Sequence, residues 1–337
     1  MSKKEKNKNS EATIRKTSVG GQALIEGVMM NGPRGAAISV RKTNGEIVTE
    51  SFPLKHARDK VKFLGQPFIR GIVNFIESMI VGYKSLMRSA ELSGELEEEN
   101  DPEKMSRLDK WLNDHMGPKM FAVLSGIASV FAVVIGVGLF VFLPTYLVDI
   151  VDKYCFQDSL TRFHALFEGL IRAVIIVVYM FAVSQIKDIR RVFMYHGAEH
   201  KTIFCYEKGL DLTVENAQSC RRFHPRCGTS FIFIVLITSI IVSSIVSIIF
   251  PELADSKNRI LWILVKLILV LPVVTGISYE LIKYAGRHDN ILTKIFSAPG
   301  LWMQRITTKE PDDSMIEVAI ASVKAVITDN PEDDTLE

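Results

Sequence analysis

This sequence has few cysteines and a net charge close to zero. Four cysteines in 337 residues are too few for a disulfide-stabilised scaffold. The 40 Lys and Arg nearly balance the 38 Asp and Glu, and no basic stripe is interleaved with aromatics, so nucleic acid is not an expected partner. Residues 1–17 lack the apolar core of a secretory signal peptide, and we expect them to form a disordered tail.

Long apolar runs, in contrast, are abundant between residues 119 and 281. The runs cover residues 120–148, 164–186, 230–250 and 260–281. Each supplies the roughly 20 apolar residues that a helix needs to cross a bilayer. Pro144 is expected to break or kink the first. The sequence therefore predicts a mainly α-helical, polytopic membrane protein with four transmembrane helices in contact with the lipid bilayer.

The basic residues are divided unevenly among the connections between these runs. Residues 187–229 carry eight Lys and Arg, whereas residues 149–163 carry two and residues 251–258 carry one. Basic connections stay on the cytoplasmic side of a membrane. Both termini and the connection 187–229 are therefore predicted to be cytoplasmic.

The flanking regions contain shorter patterns. Residues 36–52 alternate apolar and polar around Asn44-Gly45, which predicts a β-hairpin. Residues 64–92 have an apolar helical face but carry too many charges to span a bilayer. They therefore predict a helix that lies at the membrane interface, and residues 292–306 are a second candidate for such a helix. The predicted organisation is a tail (1–17), a cytoplasmic β-hairpin with an interfacial helix (18–92), an acidic linker (93–118), a four-span domain with the cytoplasmic loop 187–229 (119–281), and cytoplasmic interfacial and amphipathic helices with an acidic tail (282–337).

The sharpest chemical pattern is the run His196-Gly197-Ala198-Glu199-His200. Residues four apart share a helix face, so both histidines could bind one metal ion, with zinc or another divalent cation as the cofactor. Glu199 is placed to act as a general base on water, as in the inverted zincin metallopeptidases. The alternative is a pair of surface histidines at the membrane interface, with no metal.

A catalytic zinc site needs a third protein ligand and an open position. Glu280, at the end of the last span, is one candidate; its alternative role is an interfacial acid paired with Lys283. His224 and Cys227, three residues apart, are the other candidates. If both bound together with the two motif histidines, the site would be closed and structural. The spacing leaves the open and closed sites as alternatives.

Two further polar groups stand outside this motif. Gln22 and Glu26 lie in a glycine-rich block that lacks the ending of a phosphate loop, and they either project toward the metal motif or belong to an ordinary turn. Glu168 and Arg172 recur at helical spacing near the predicted outer side, which favours an ion pair packed inward, with a transport pathway as the alternative.

Four ordered blocks resemble the YqhQ-like family of bacterial membrane proteins. These blocks are GGQALIEGVMMNGP, RRVFMYHGAEHKTIFCYE, FHPRCGTSF and GISYELIKYAG, and the likeness covers residues 18–324. The family is described as predicted metal-dependent enzymes. The resemblance implies a bacterial cytoplasmic membrane location and a metal site centred on His196, Glu199 and His200, and it implies no substrate.

Three functions are consistent with these observations. The first is a zinc-dependent membrane hydrolase, with a peptidase as one option, in which Glu199 is the general base. The second is a membrane assembly or interaction protein whose cytoplasmic loop is held by structural zinc. The third is a small-solute transporter that uses Glu168, Arg172 and Glu280 and would need to form a homo-oligomer, although no internal repeat supports it. The sequence identifies no protein partner or substrate.

Overall fold

The computed structural model describes residues 15–67, 69–94, 118–157, 163–225, 227–250, 264–288, 290–328 and 330–335. Residues 1–14 of the predicted tail (1–17) and residues 95–117 of the predicted acidic linker (93–118) lie outside the described residues. Four described helices are long and apolar enough to cross a membrane: Gly126–Phe156, His164–Val183, Phe231–Ile249 and Ile268–Ala285. The chain is thus a mainly helical, polytopic membrane protein with four spans, as predicted.

The strands and helices follow in this order. The strands are β1 (Gly20–Leu24), β2 (Gly27–Gly32), β3 (Gly35–Arg41) and β4 (Ile47–Phe52). The helices are α1 (Ala57–Lys60), α2 (Ile69–Ser93), α3 (Pro118–Val137), α4 (Leu143–Val151), α5 (His164–Val183), α6 (Lys187–Glu207), α7 (Val214–Gln218), α8 (Gly228–Ile249), α9 (Leu271–Arg287), α10 (Ile291–Thr307) and α11 (Asp313–Val326).

An antiparallel sheet forms the N-terminal region, with the strands ordered β1-β2-β3-β4. The predicted hairpin is β3–β4. Its connection has five residues (42–46), and Gly45 has a φ of 86° whereas Asn44 does not adopt a positive φ, so the turn differs from the two-residue Asn-Gly type. The hairpin β1–β2 was not predicted from the sequence. Its two-residue turn contains Glu26 at a φ of 49°, a conformation that is uncommon for a residue with a side chain.

The sheet and two helices share one hydrophobic core, and we call β1–β4, α6 and α11 the head. The core contains Val28, Met30, Ala37, Tyr195, Ile203, Phe204, Met315, Ile316 and Val323. Full burial of each larger apolar side chain stabilises the fold by about 1.5–3 kcal/mol. The predicted regions 18–92 and 282–337 are therefore packed together, although they lie at opposite ends of the sequence.

α2 packs on the opposite face of the sheet and exposes apolar side chains on its outer side. Val81, Leu86 and Leu92 cover a small cluster that includes Leu24 and Ile38. The exposed side chains include Phe75, Ile76, Met79 and Tyr83. Such an amphipathic face is what a helix lying in a membrane surface requires.

The first span is a continuous helix with two irregular turns. α3 continues through a π-helical turn, Gly138–Phe142, into α4, and a second π-helical turn follows at Asp152–Phe156. Pro144 lies in the first turn of α4, directly after the first π-helical turn. The helix therefore continues through Pro144 without a break, although the proline removes the amide donor to the Phe140 carbonyl, four residues earlier.

The connection 187–229 is dominated by helix α6 rather than by loop. From Tyr195 onward nearly every α6 side chain is buried. The chain after α10 crosses this helix at Gly197, where a Cβ atom would overlap the carbonyl oxygen of Lys309. A hydrogen bond from the Lys309 amide to the Phe193 carbonyl (2.8 Å) fixes the crossing. The central motif therefore lies inside the head.

Candidate metal centre

His196 and His200 lie one turn apart on α6, and Cys227 approaches them from the start of α8. The two rings have centroids 4.4 Å apart. Both histidines are buried, whereas Cys227 is partly exposed. One nitrogen of each histidine and the Cys227 sulfur all lie within 4.8 Å of one another. Three side chains that can bind a transition metal thus converge on one point.

Backbone carbonyl groups orient both histidine rings. Nδ1 of His196 lies 2.8 Å from the Thr307 oxygen, and Nδ1 of His200 lies 2.5 Å from the Arg222 oxygen. A carbonyl oxygen only accepts hydrogen bonds, so each Nδ1 carries a proton and donates it. Each Nε2 therefore keeps its lone pair. Metal-binding histidines show this arrangement, in which a hydrogen bond at one nitrogen directs the other toward the metal.

The donor atoms fit a divalent cation. Nε2 of His196 lies 3.1 Å from the Cys227 sulfur. Nε2 of His200 is buried without a hydrogen-bond partner among the described residues. Burial lowers the pKa of His200, which favours the neutral ring that a metal requires. Two imidazole nitrogens and one thiolate are a donor set that suits zinc.

Glu199 points its carboxylate into the same site. Its Oε2 is also buried with no hydrogen-bond partner in the described part of the chain. Burial raises the pKa of Glu199 to about 8, against the lowering effects of His196 and of a backbone hydrogen bond from Gly21. A Cβ at Gly21 would lie 2.5 Å from the Met29 oxygen and 3.2 Å from Cδ of Glu199. A glycine at this position therefore lets β1 approach the carboxylate.

An open cavity of about 350 Å³ adjoins these groups. Its lining residues are Thr17, Ser18, Val19, Gly20, Gly21, Asn31, Glu199, His200, Ile203, His224, Cys227 and Gly228. The cavity is large enough for a small ligand or a short segment of chain. The candidate centre is thus connected to space that a substrate could occupy.

His224 lies beside the cluster but faces another partner. Its ring centroid is 5.7 Å from that of His200, and its Nε2 lies 3.3 Å from Oε2 of Glu207. Its backbone amide and carbonyl both bind the side chain of Gln304, at 2.7 Å each. In this conformation His224 lines the cavity without joining the three converging ligand atoms.

Glu280 occupies a different place. Both of its carboxylate oxygens accept hydrogen bonds from Arg70, at 2.7 and 2.5 Å. This pair joins α2 to α9 and lines a separate cavity with Lys283 and His288. The structure does not bring Glu280 to the histidine pair, because its side chain is held by a bidentate partner elsewhere.

Gln22 and Glu26 diverge from each other. The Gln22 side chain packs against Gly82 on α2, away from the cluster. Glu26 forms an ion pair with Arg191, and it accepts a hydrogen bond from the Tyr195 hydroxyl at 3.2 Å. Glu26 therefore ties the β1–β2 turn to α6 one turn before the metal motif.

Glu168 and Arg172 form an ion pair within α5. Their closest atoms are 2.5 Å apart, and Glu168 is buried. Nε of Arg172 also donates to the Phe140 oxygen at 2.9 Å, inside the first π-helical turn. Arg172 thus satisfies the carbonyl that Pro144 cannot bond, and the contacts are those of an ion pair packed inward.

Several groups at the site carry no recognisable sequence signal. The carbonyl groups of Thr307 and Arg222 could come from any residue type. Asn31 lines the cavity from β2, and its Oδ1 is buried with no hydrogen-bond partner within the described ranges. The paired glycines at residues 20–21 were the one available hint, because closely spaced glycines mark a close approach of the backbone.

The four spans and the His-His-Cys cluster define a polytopic membrane protein with a candidate transition-metal centre. The chain belongs to the family described as "Protein of unknown function (DUF1385)", whose model matches residues 66–329. It is 35% identical over 312 residues to the "Uncharacterized protein YqhQ" of Bacillus subtilis (strain 168), and this alignment covers 91% of the chain and 92% of the relative. No solved structure matches. The YqhQ-like resemblance is thus confirmed, and these names state no activity.

Proposed function

We propose that the protein is a metal-dependent membrane hydrolase. His196, His200 and Cys227 hold a divalent cation, with zinc favoured by the donor set, and Glu199 is the general base. The observation that carries the proposal is the orientation of both histidines. Each Nδ1 donates to a backbone carbonyl, and Nε2 of His200 is left buried without a hydrogen-bond partner among the described residues. Three protein ligands leave one position open, as catalytic zinc sites do.

The reaction follows from the position of Glu199 at the cavity. A divalent cation held by His196, His200 and Cys227 would supply a Lewis acid for the scissile carbonyl group, and its charge would favour the Glu199 carboxylate over the protonated form that burial promotes. Glu199 takes a proton from a water molecule, whose oxygen adds to the carbonyl carbon. The bond to the leaving group then breaks, and Glu199 delivers the proton to that group.

We further propose that the site lies on the cytoplasmic side of a bacterial cytoplasmic membrane. The distribution of Lys and Arg supports this orientation, because the basic connection 187–229 holds the cluster. The relative from Bacillus subtilis supports a bacterial setting.

Metal content tests the proposal directly. Purified protein in detergent, washed free of loosely bound ions, should carry about one zinc per chain. His200→Ala and Cys227→Ala should lose it, whereas Glu280→Ala should retain it. Glu199→Gln should retain the zinc and lose hydrolytic activity. A metal-free wild-type protein, or zinc retained by His200→Ala, would contradict the proposal.

A structural zinc site in an assembly or interaction protein is the second candidate. The observation that favours it is the closeness of His224, whose ring lies 5.7 Å from that of His200 in the same cavity. Rotation of His224 away from Glu207 would supply a fourth ligand and close the site. Zinc lost from His224→Gln, together with normal behaviour of Glu199→Gln, would favour this function. Zinc retained by His224→Gln would favour the hydrolase.

A further inference from the structure

α2 and α9 cross closely at the end of the last span, Ile268–Ala285. A Cβ at Gly71 of α2 would lie 2.8 Å from Cβ of Tyr279 and 3.3 Å from Cα of Gly276, both on α9. Nδ2 of Asn74 donates a hydrogen bond to the Tyr279 hydroxyl oxygen at 2.6 Å. Because α2 also packs on the sheet of the head, it joins the head to a membrane span.

An open cavity of about 550 Å³ adjoins this crossing, and we call it the junction cavity. Ile277 and Leu281 give it an apolar wall within the span, and Arg70 lines it from α2. Lys283 and His288 line it where the span and α9 end. The junction cavity therefore combines an apolar part at membrane depth with a polar part at the surface of the bilayer.

Basic side chains outnumber acidic ones in the described lining of the junction cavity. Arg70, Lys283 and His288 are basic, and Glu280 is the acidic residue. Glu280 accepts hydrogen bonds from Nε and Nη2 of Arg70, at 2.7 and 2.5 Å, which fixes the plane of the guanidinium group. Its Nη1 has no acceptor among the described residues. An oriented guanidinium group beside a lysine is a donor set that binds phosphate oxygens.

The apolar wall favours a phospholipid over a soluble phosphate compound. Ile277 and Leu281 offer a surface that acyl chains can cover and that a free phosphate would leave uncovered. α2 also exposes Phe75, Ile76 and Met79, as a helix in contact with lipid does. Basic pockets between helices at the ends of spans bind the headgroups of anionic lipids.

We propose that the junction cavity binds the headgroup of an anionic phospholipid. The lipid phosphate accepts hydrogen bonds from Nη1 of Arg70 and from the Lys283 ammonium group, and an acyl chain lies along Ile277 and Leu281. A bound lipid contacts both α2 and α9, and it thereby fastens the helix that supports the sheet to the last span. This binding does not rest on the hydrolase function, because Arg70 and Glu280 lie outside the His-His-Cys cluster.

Two lipids that differ in headgroup charge test the binding. The full chain in a mild detergent is titrated with dioleoylphosphatidylglycerol or with dioleoylphosphatidylcholine, and native mass spectrometry measures the affinity for the first bound lipid. The anionic lipid should bind at least about fivefold more tightly. Glycerol 1-phosphate at millimolar concentration carries the phosphate without acyl chains and should not displace it. Equal affinity for the two lipids would overturn the inference. Displacement by glycerol 1-phosphate would also overturn it and would assign the cavity to soluble phosphate compounds.

A matched pair of variants tests the named contact. Lys283→Gln removes one cation from the junction cavity, so it should weaken phosphatidylglycerol binding about fivefold and leave phosphatidylcholine binding unchanged. Lys294→Gln removes the same charge from an exposed position on α10 and should change neither affinity. An unchanged affinity of Lys283→Gln, or an equal loss in both variants, would overturn the named site. The comparison of the two lipids on the wild type decides the proposal even where Lys283→Gln fails to fold.

Discussion

Lys309 crosses α6 directly over Gly197, and its carbonyl oxygen occupies the space that a Cβ of residue 197 would need. The crossing segment begins at Thr307, whose carbonyl oxygen binds Nδ1 of His196. The glycine inside the H-x-x-E-H motif therefore has a packing role that the motif itself does not require. It allows the segment that orients the first histidine to pass close to the helix.

Gly197→Ala should destabilise the head and weaken metal binding together. The added methyl group forces the Lys309 segment outward, and overpacking of this kind costs about 1–3 kcal/mol. Thermal unfolding followed by intrinsic fluorescence should show a lower Tm, and zinc content should fall. Gly126→Ala is the control, because a Cβ at that helical glycine meets nothing within 4 Å. An unchanged Tm for Gly197→Ala would contradict the close crossing.

Zinc should protect Cys227 from alkylation. Cys227 is partly exposed beside the cavity, whereas burial raises the pKa of Cys205 to about 11. At pH 8, N-ethylmaleimide should therefore modify Cys227 and spare Cys205, because the thiolate is the reactive form. Adding zinc to metal-stripped protein should slow modification of Cys227 at least tenfold. Peptide mass spectrometry measures each cysteine, and the exposed Cys155 is the internal control. Zinc-independent modification of Cys227 would exclude it as a ligand.

The predicted orientation can be tested with the same residues. Cys155 lies in the turn at the end of the first span, and Cys227 lies beyond the second. In intact cells, a membrane-impermeant maleimide should label a variant that keeps Cys155 alone. It should fail to label one that keeps Cys227 alone until the membrane is permeabilised. The reverse pattern would place the candidate centre outside the cell.

Glu310 should support the metal centre through Arg222. Its carboxylate forms ion pairs with Lys201 and with Arg222, whose own carbonyl oxygen orients His200. Glu310→Gln should lower zinc affinity about tenfold, as losses of such supporting contacts do. A competition titration with a chromogenic chelator measures the zinc affinity. The control is Glu317→Gln, which removes a surface ion pair with Arg41.

The contribution of Glu310 to stability should depend on pH. Partial burial opposes its ionisation, but hydrogen bonds from Lys201 and Arg222 prevail and lower its pKa below the ordinary 4.5. The stabilisation is therefore present above pH 4.5 and is lost as the pH falls through the lower pKa of the folded state. The difference in Tm between wild type and Glu310→Gln should shrink below pH 4.5. A difference that grows with acidity would contradict these ion pairs.

Local sequence patterns predicted the helices and strands of this protein better than the contacts between residues that are distant in the sequence. The four spans and the shared face of His196 and His200 follow from helix length and period, which the sequence states directly. The sequence did not show which of Glu280, His224 and Cys227 would lie beside the two histidines as a third candidate ligand. Glu280 is paired with Arg70, 210 positions away, and no local pattern reports such a contact.

The missed hairpin has a similar explanation. Its turn lacks the Asn-Gly signature, and Glu26 adopts a positive φ while paired with Arg191, 165 positions away. A long-range ion pair accompanies a turn that local propensity would not select. The glycines of β1 were visible in the sequence. The close approach of Gly21 to Glu199 on α6 depends on a contact between distant parts of the chain, which no local pattern reports.

The order in which the ribosome makes the chain gives the Thr307 contact a further meaning. The three candidate ligands emerge first and can enter the membrane with their spans. The carbonyl that orients His196, and the helix α11 that closes the core behind α6, are synthesised some 80 residues after Cys227. A nascent chain that stops before residue 307 carries every candidate ligand and the Arg222 carbonyl that orients His200, but it lacks the carbonyl that orients His196. Assembly of the candidate centre therefore waits for residues that are synthesised after its ligands.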